Sequence, residues 1–161
     1  VEAAQLLEGD DDIRIVFAGG GADRPRIEQM VKEQGFKNIV MIPRQPKEKM
    51  FALWSLCDVS IVHLKDTPLF ETVIPSKIFE SMGMGIPIVI SAPKGEATGI
   101  IEDTQSGLVL PPESPLELAD AIKALKKDNS IFSKNSGDSA IRFDRRKLAD
   151  DMLGIIEKVV K

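Results

Sequence analysis

Short apolar runs alternate along this chain with segments whose apolar residues recur at helical spacing. Ile13 to Phe17 is a β-branched and aromatic run; three glycines follow, then Ile27, Met30 and Val31 at helical spacing, which predicts strand, glycine turn and helix. A second strand is expected at Ile39 to Ile42. Met50, Leu53, Trp54 and Cys57 stand at i, i+3, i+4 and i+7 of one helix face, and a strand is expected at Val59 to Leu64. Lys65 to Pro75 has two prolines and no period, so it reads as a loop of about ten residues, longer than an ordinary crossover turn.

Beyond that loop the pattern predicts a helix over Ser76 to Met84, a strand at Ile86 to Ile90, a short helix at Ala97 to Glu102 and a strand at Gly107 to Leu110. "PPESPLELADAIKAL" brings prolines and a polar start to another helix. Residues 128 to 140 have no clean period and read as helical. The last helix is marked by Leu148, Met152, Ile155, Ile156 and Val159, one apolar stripe.

Strands that alternate with helices imply parallel strands joined by right-handed crossovers, and continuous apolar strands imply a sheet covered on both faces. The expected fold class is α/β, a Rossmann-like three-layer sandwich with a mostly parallel sheet of about five to six strands. Residues 1–161 form a single domain, without internal repeats. Its opening, "VEAAQLLEGDDD", reads as the last turns of a helix running into a loop, and Val1 as the interior of a longer polypeptide.

Composition narrows the classes. A chain of 161 residues with 43% hydrophobic and 29% charged residues can bury a core of its own, which argues for a folded, soluble domain. With 21 basic against 25 acidic residues, a net charge of -4 and no long Lys/Arg block, nucleic acid is not expected as a partner. One cysteine, Cys57, and one histidine, His63, give no intrachain disulfide and no metal-ligand set, and point to a reducing compartment. No run approaches the ~18 apolar residues of a membrane span.

In such a sheet, ligands bind beyond the carboxyl ends of the strands. Three places qualify. Gly19, Gly20 and Gly21 follow a strand and precede a helix, so backbone there could approach a phosphate or sugar; the spacing is not G-x-G-x-x-G, and no acidic residue stands near Asn38 to Met41 to grip the ribose of NAD. A plain tight turn is the alternative. In "FETVIPSKIFESMGMGIPIVI", residues 70 to 90, Pro75 suits a helix start, Ser76 can cap it or receive an anion, and Ser76, Lys77 and Glu80 share one helix face. Glu80 could accept hydrogen bonds from a ribose diol; spacing by itself equally allows an exposed Lys77 and Glu80 pair with Ser76 as an ordinary cap. The third place is Gly95 with the amides of Glu96 and Ala97. His63, at a strand end, could donate to a ligand or be merely structural.

Taken in order, "FAGGGADRPRIEQ", "PLFETVIPSKIFESMGMGIPIVI" and "GEATGIIEDTQSGLVLPPESPLELADAI" resemble the C-terminal, donor-binding half of GT-B fold, family-four retaining glycosyltransferases, nearest to the amino-sugar transferases of capsule and O-antigen assembly. The resemblance implies that Glu80 contacts the donor ribose and that the backbone at Ile74, Ser76 and Lys77 approaches the diphosphate. By position, Gly19 to Gly21 lie near the donor, and Pro43 and Arg44 stand in the loop that reads the base. The wider family carries two glutamates seven residues apart; the first falls on Thr72, which cannot supply a charge, beside an out-of-register Glu71.

The resemblance further implies that the diphosphate-neutralising Arg and Lys, and the whole acceptor domain, lie upstream of Val1, so that the domain is truncated at its N-terminal edge and inactive alone. The expected reaction is retaining transfer from a nucleoside-diphosphate sugar, a UDP-N-acetylhexosamine type, to a glycan or lipid-linked acceptor. No metal and no cofactor is expected, because GT-B enzymes stabilise the leaving diphosphate with basic side chains and helix dipoles. The expected location is cytoplasmic, with peripheral membrane association open to the full-length protein. A GT-B nucleotide-sugar epimerase and a non-catalytic Rossmann-like partner module are the other readings.

Overall fold

The computed structural model describes residues 1–159. Helix α1 (Glu2–Leu6) leads into β1 (Ile15–Ala18), followed by α2 (Arg24–Gln34), β2 (Ile39–Ile42), α3 (Lys47–Trp54) and β3 (Ser60–His63). The second half runs α4 (Lys77–Gly83), β4 (Ile88–Ser91), α5 (Glu96–Thr104), β5 (Gly107–Leu110), α6 (Pro115–Lys127), α7 (Ser130–Ala140) and α8 (Arg145–Val159). The loop from Lys65 to Pro75 contains a short 3-10 turn at Pro68–Glu71, and a second such turn, Ile141–Phe143, joins α7 to α8.

All strand pairs are parallel, as the alternation of elements requires. The five strands form two sheets instead of one: β1 pairs with β2, and β3, β4 and β5 pair in that order. β1 and β3 share no ladder, and a cavity of about 650 Å³ lies between them.

The three-stranded sheet is covered on both faces because side chains alternate along each strand. Ile88 and Ile90, fully buried, face Ile78 and Met82 of α4 and Ala97 and Ile101 of α5. Val89, between them, faces Ala121 and Leu125 of α6. On the two-stranded sheet, Ile15, Phe17, Ile39 and Met41 pack against α1 and α2 through Ala4 and Val31. Its other face is thinner: Val16 and Val40 are 41% and 40% exposed.

Three expectations change on contact with the structure. β1 starts two residues later than its apolar run, because Ile13 is buried in a separate cluster with Leu7, Ala119 and Ile122. α3 ends at Trp54, so Cys57 lies beyond it, and Met50, Leu53 and Trp54 line the cavity without any residue of the helix becoming fully buried. The stripe on α8 is a helix face as expected, yet no residue of α8 is buried; Leu148, Met152, Ile155, Ile156 and Val159 are all exposed. By contrast α7, without a clean period, is docked by hydroxyls: Ser136 Oγ donates to the Ile86 carbonyl at 2.8 Å and Ser133 Oγ to the Gly85 carbonyl at 2.6 Å.

Candidate functional site

Parallel strands share one direction, so within each sheet the loops after the strands gather at one edge. That edge carries every candidate: Gly19 to Gly21 after β1, Pro43 and Arg44 after β2, His63 at the end of β3, the loop to α4, and Gly95 after β4.

The glycine turn is a built feature. Gly19 and Gly21 have φ of 137° and 142°, where a Cβ is strained. Arg24, at the start of α2, donates from Nη1 to the Gly19 carbonyl and, at 2.8 Å, to the Ile42 carbonyl, so one guanidinium ties the ends of β1 and β2. Its Nη2 also pairs with Glu28 at 2.6 Å. Arg24 was not singled out from sequence; its only signal was a cation shortly after a glycine turn. Pro43 and Arg44 are exposed beside this anchor.

At the start of α4, Ser76 does not cap the helix. Its hydroxyl donates to Glu80 Oε1 at 3.1 Å, one turn along the same face, and orients that carboxylate. Lys77 and Glu80 are exposed, as the plain alternative expects, but no ion pair joins them among the described residues and Ser76 makes no side-chain cap bond. Lys77 and Glu80 instead contribute to the wall of the cavity between β1 and β3, which Ala18 also lines. The cavity thereby links the helix start to the residue before the glycine turn. Gly19, Gly20, Gly21, Pro43, Arg44, Thr72, Ile74 and Ser76 stand outside that wall.

His63 is exposed overall, but partial desolvation of its imidazole and then the Lys77 cation hold its pKa below the ordinary 6.5. Lys77 is thus electrostatically felt at the end of β3.

The loop before α4 is fixed by a contact that spacing could not show. A Cβ on Gly95 would lie 2.6 Å from the Glu71 carbonyl carbon, so only glycine lets the 3-10 turn sit on the start of α5. Gly95 N–H is bonded to Thr98 Oγ1 at 2.9 Å, which closes the helix start. Glu71 and Thr72 are exposed; Thr72 Oγ1 turns back to the Leu69 carbonyl at 3.4 Å. Ile74 is 40% exposed beside them. The second and third sequence candidates therefore meet through Glu71 and Gly95, while the glycine turn and Pro43–Arg44 form a separate group around Arg24.

The family described as "Glycosyl transferases group 1" matches residues 1–143. The chain is 26% identical over 161 residues to an α-D-kanosaminyltransferase of Streptomyces kanamyceticus, covering 98% of this chain and 40% of that protein. Its fold superposes on a crystallised glycosyltransferase from Rickettsia africae with a TM-score of 0.82 at 16% identity, over 99% of this chain and 43% of that one. It superposes on the pneumococcal O-GlcNAc transferase GtfA, crystallised with UDP and GlcNAc, with a TM-score of 0.76 at 16% identity, over 99% and 32%. The chain thus spans less than half the length of each of these proteins. A family match across most of the chain, on an α/β frame whose loops gather at the carboxyl ends of parallel strands, makes this chain a member of the group 1 glycosyl transferases.

Proposed function

We propose that residues 1–161 are the donor-binding domain of a retaining glycosyltransferase whose donor is a nucleoside-diphosphate sugar of the UDP-N-acetylhexosamine type. The observation that carries the reading is the Ser76–Glu80 hydrogen bond beside Lys77, at the start of α4. It orients one carboxylate next to one cation, the pair of charges that a ribose and a diphosphate call for.

In this reading Glu80 accepts from the ribose hydroxyls through the oxygen that Ser76 leaves free. Lys77, with backbone from Ile74 to Ser76, faces the diphosphate; the Gly19 to Gly21 backbone approaches the donor; Pro43 and Arg44 flank the base. Thr72 takes the place of an acidic residue near the transferred sugar and offers a hydroxyl only. In transfer, the bond from the anomeric carbon to the diphosphate breaks and a bond to the acceptor oxygen forms on the same face of the sugar. The diphosphate leaves with its charge stabilised by basic groups, with no metal or cofactor needed.

The names of the kanosaminyltransferase and of the structure holding UDP and GlcNAc support an amino-sugar donor. The acceptor, a glycan or a lipid-linked sugar of surface polysaccharide assembly, binds outside these 161 residues, which alone hold donor without transferring it. A lipid-linked acceptor places the whole protein at the cytoplasmic face of a membrane.

UDP titration followed by backbone amide NMR tests the reading. Shifts concentrated at residues 19–21 and 74–80 are expected, and Glu80→Ala should weaken UDP-sugar binding about tenfold, a loss near 1.4 kcal/mol. Shifts confined to other parts of the chain overturn it.

A further inference from the structure

The ends of β1 and β2 are joined at one carbonyl. Ile42 O accepts the Gly19 N–H at 3.1 Å and Arg24 Nη1 at 2.8 Å, and the same Nη1 donates to the Gly19 carbonyl. The Arg24 backbone N–H reaches the Gly21 carbonyl at 3.2 Å, so this residue closes the glycine turn twice, from main chain and from side chain. Ile42 precedes Pro43, so holding its carbonyl fixes the plane of the peptide that opens the next loop, and the proline ring fixes φ after it. Gln45 Nε2 then donates to the Pro43 carbonyl at 2.9 Å, and Pro46, extended, precedes α3. Arg44 is thereby carried on a stiff span whose first peptide Arg24 keeps in register with the glycine turn.

Arg24 is built into the fold and is not a free surface cation. Its side chain is 22% exposed, against 62% for Arg26. Nη2 pairs with Glu28 at 2.6 Å, so the charge is matched locally, while Nη1 is committed to backbone oxygens. A cation neutralised in this way is badly placed to clamp a diphosphate. What it supplies is the rigid fork of the guanidinium, which can hold two carbonyls and a carboxylate at once and which a lysine lacks.

We propose that Arg24 is a positioning residue that sets base selectivity. By holding the Gly19–Gly21 turn and the Pro43–Arg44 loop at one spacing, it shapes that end of the donor site to a uracil and not to a purine. This role rests on the donor-binding reading above, in which both loops flank the donor and Arg24 has no part. In the same reading Lys77 and Glu80, on α4, meet the diphosphate and ribose that every nucleoside diphosphate shares. Loss of Arg24 is therefore felt through the base, whereas loss of Glu80 is felt whatever the base.

Calorimetric titration of the chain with UDP and with ADP tests the proposal. The unaltered chain should bind UDP about tenfold or more tighter than ADP. Arg24→Gln should weaken UDP binding about tenfold and leave ADP within about twofold, which abolishes the preference. Arg24→Lys, with the charge but not the fork, should behave in the same way. Glu28→Gln keeps the carbonyl bonds but removes the carboxylate that aims the guanidinium; it should weaken UDP about threefold and ADP not at all, and it carries the test if Arg24→Gln does not fold. Equal losses for UDP and ADP in these variants overturn the proposal, because a merely structural role or a phosphate contact would produce them. A UDP preference retained by Arg24→Lys overturns it as well. An unaltered chain that binds the two nucleotides equally overturns it and leaves the donor-binding reading standing, whereas one that binds neither overturns both.

Discussion

The two sheets are built from strands of the same length, four residues each, yet they differ in support. In the three-stranded sheet β4 is central, paired on both edges and packed on both faces, so Ile88, Val89 and Ile90 are fully buried. In the two-stranded sheet each strand has one partner, and Val16 and Val40 stay in part exposed. The difference teaches that β-branched runs report a readiness for burial, whereas the burial obtained depends on how many neighbours the fold supplies. It also divides the candidate site, because the glycine turn rides on the weaker sheet and the Lys77–Glu80 helix on the stronger.

The comparison breaks most readily at its centre. Ile90→Ala should cost about 2–5 kcal/mol, the range for emptying a close-packed site, while Val16→Ala should cost under about 1 kcal/mol in this chain. Urea unfolding of the two variants measures the gap, and equal losses would show that the sheets are supported alike.

Gly95→Ala comes next. The added methyl meets the Glu71 carbonyl group, and such overpacking costs about 1–3 kcal/mol. Because the displaced turn carries Glu71 and Thr72, UDP-sugar affinity measured by calorimetry should fall together with stability. The same exchange at exposed Gly20, which has open space around it, should lower stability less.

Ser136→Ala should cost about 1–3 kcal/mol, since it leaves the buried Ile86 carbonyl without the hydroxyl that satisfies it just before β4. Thermal melts report this loss, and the amides of β1 should be unaffected if the sheets respond separately.

The smallest effect lies at the end of β3, at His63. Its folded pKa is depressed, so the unfolded chain binds the proton first as pH falls, and stability, complete above about 6.5, declines as pH drops from there to the folded value. His63→Gln should flatten that decline. As the chain's only histidine, its imidazole is read directly by NMR, and Lys77→Met should move its pKa upward.

The apolar pattern placed β2 and β5 to the residue and located every other strand within two residues at its start, because strand and helix periods are local properties of the chain. It also marked the residues on the strand-end loops, since glycine turns and proline-led helix starts are local chemistry too. α7 was less legible because serine hydroxyls bonded to carbonyls some fifty residues away leave no apolar period.

What the sequence determined by itself was therefore the order of elements, the α/β class and the side chains available at the strand ends. Only the tertiary structure decided that the five strands of the described residues pair in two sheets, with a cavity lined by both. Only the structure turned Ser76 toward Glu80, set Glu71 on Gly95, and left the stripe of α8 uncovered. The physical reason is the same in each case. A period says which face of an element seeks a partner, but the partner is chosen by contacts between residues far apart in the chain, and those contacts have no local signature.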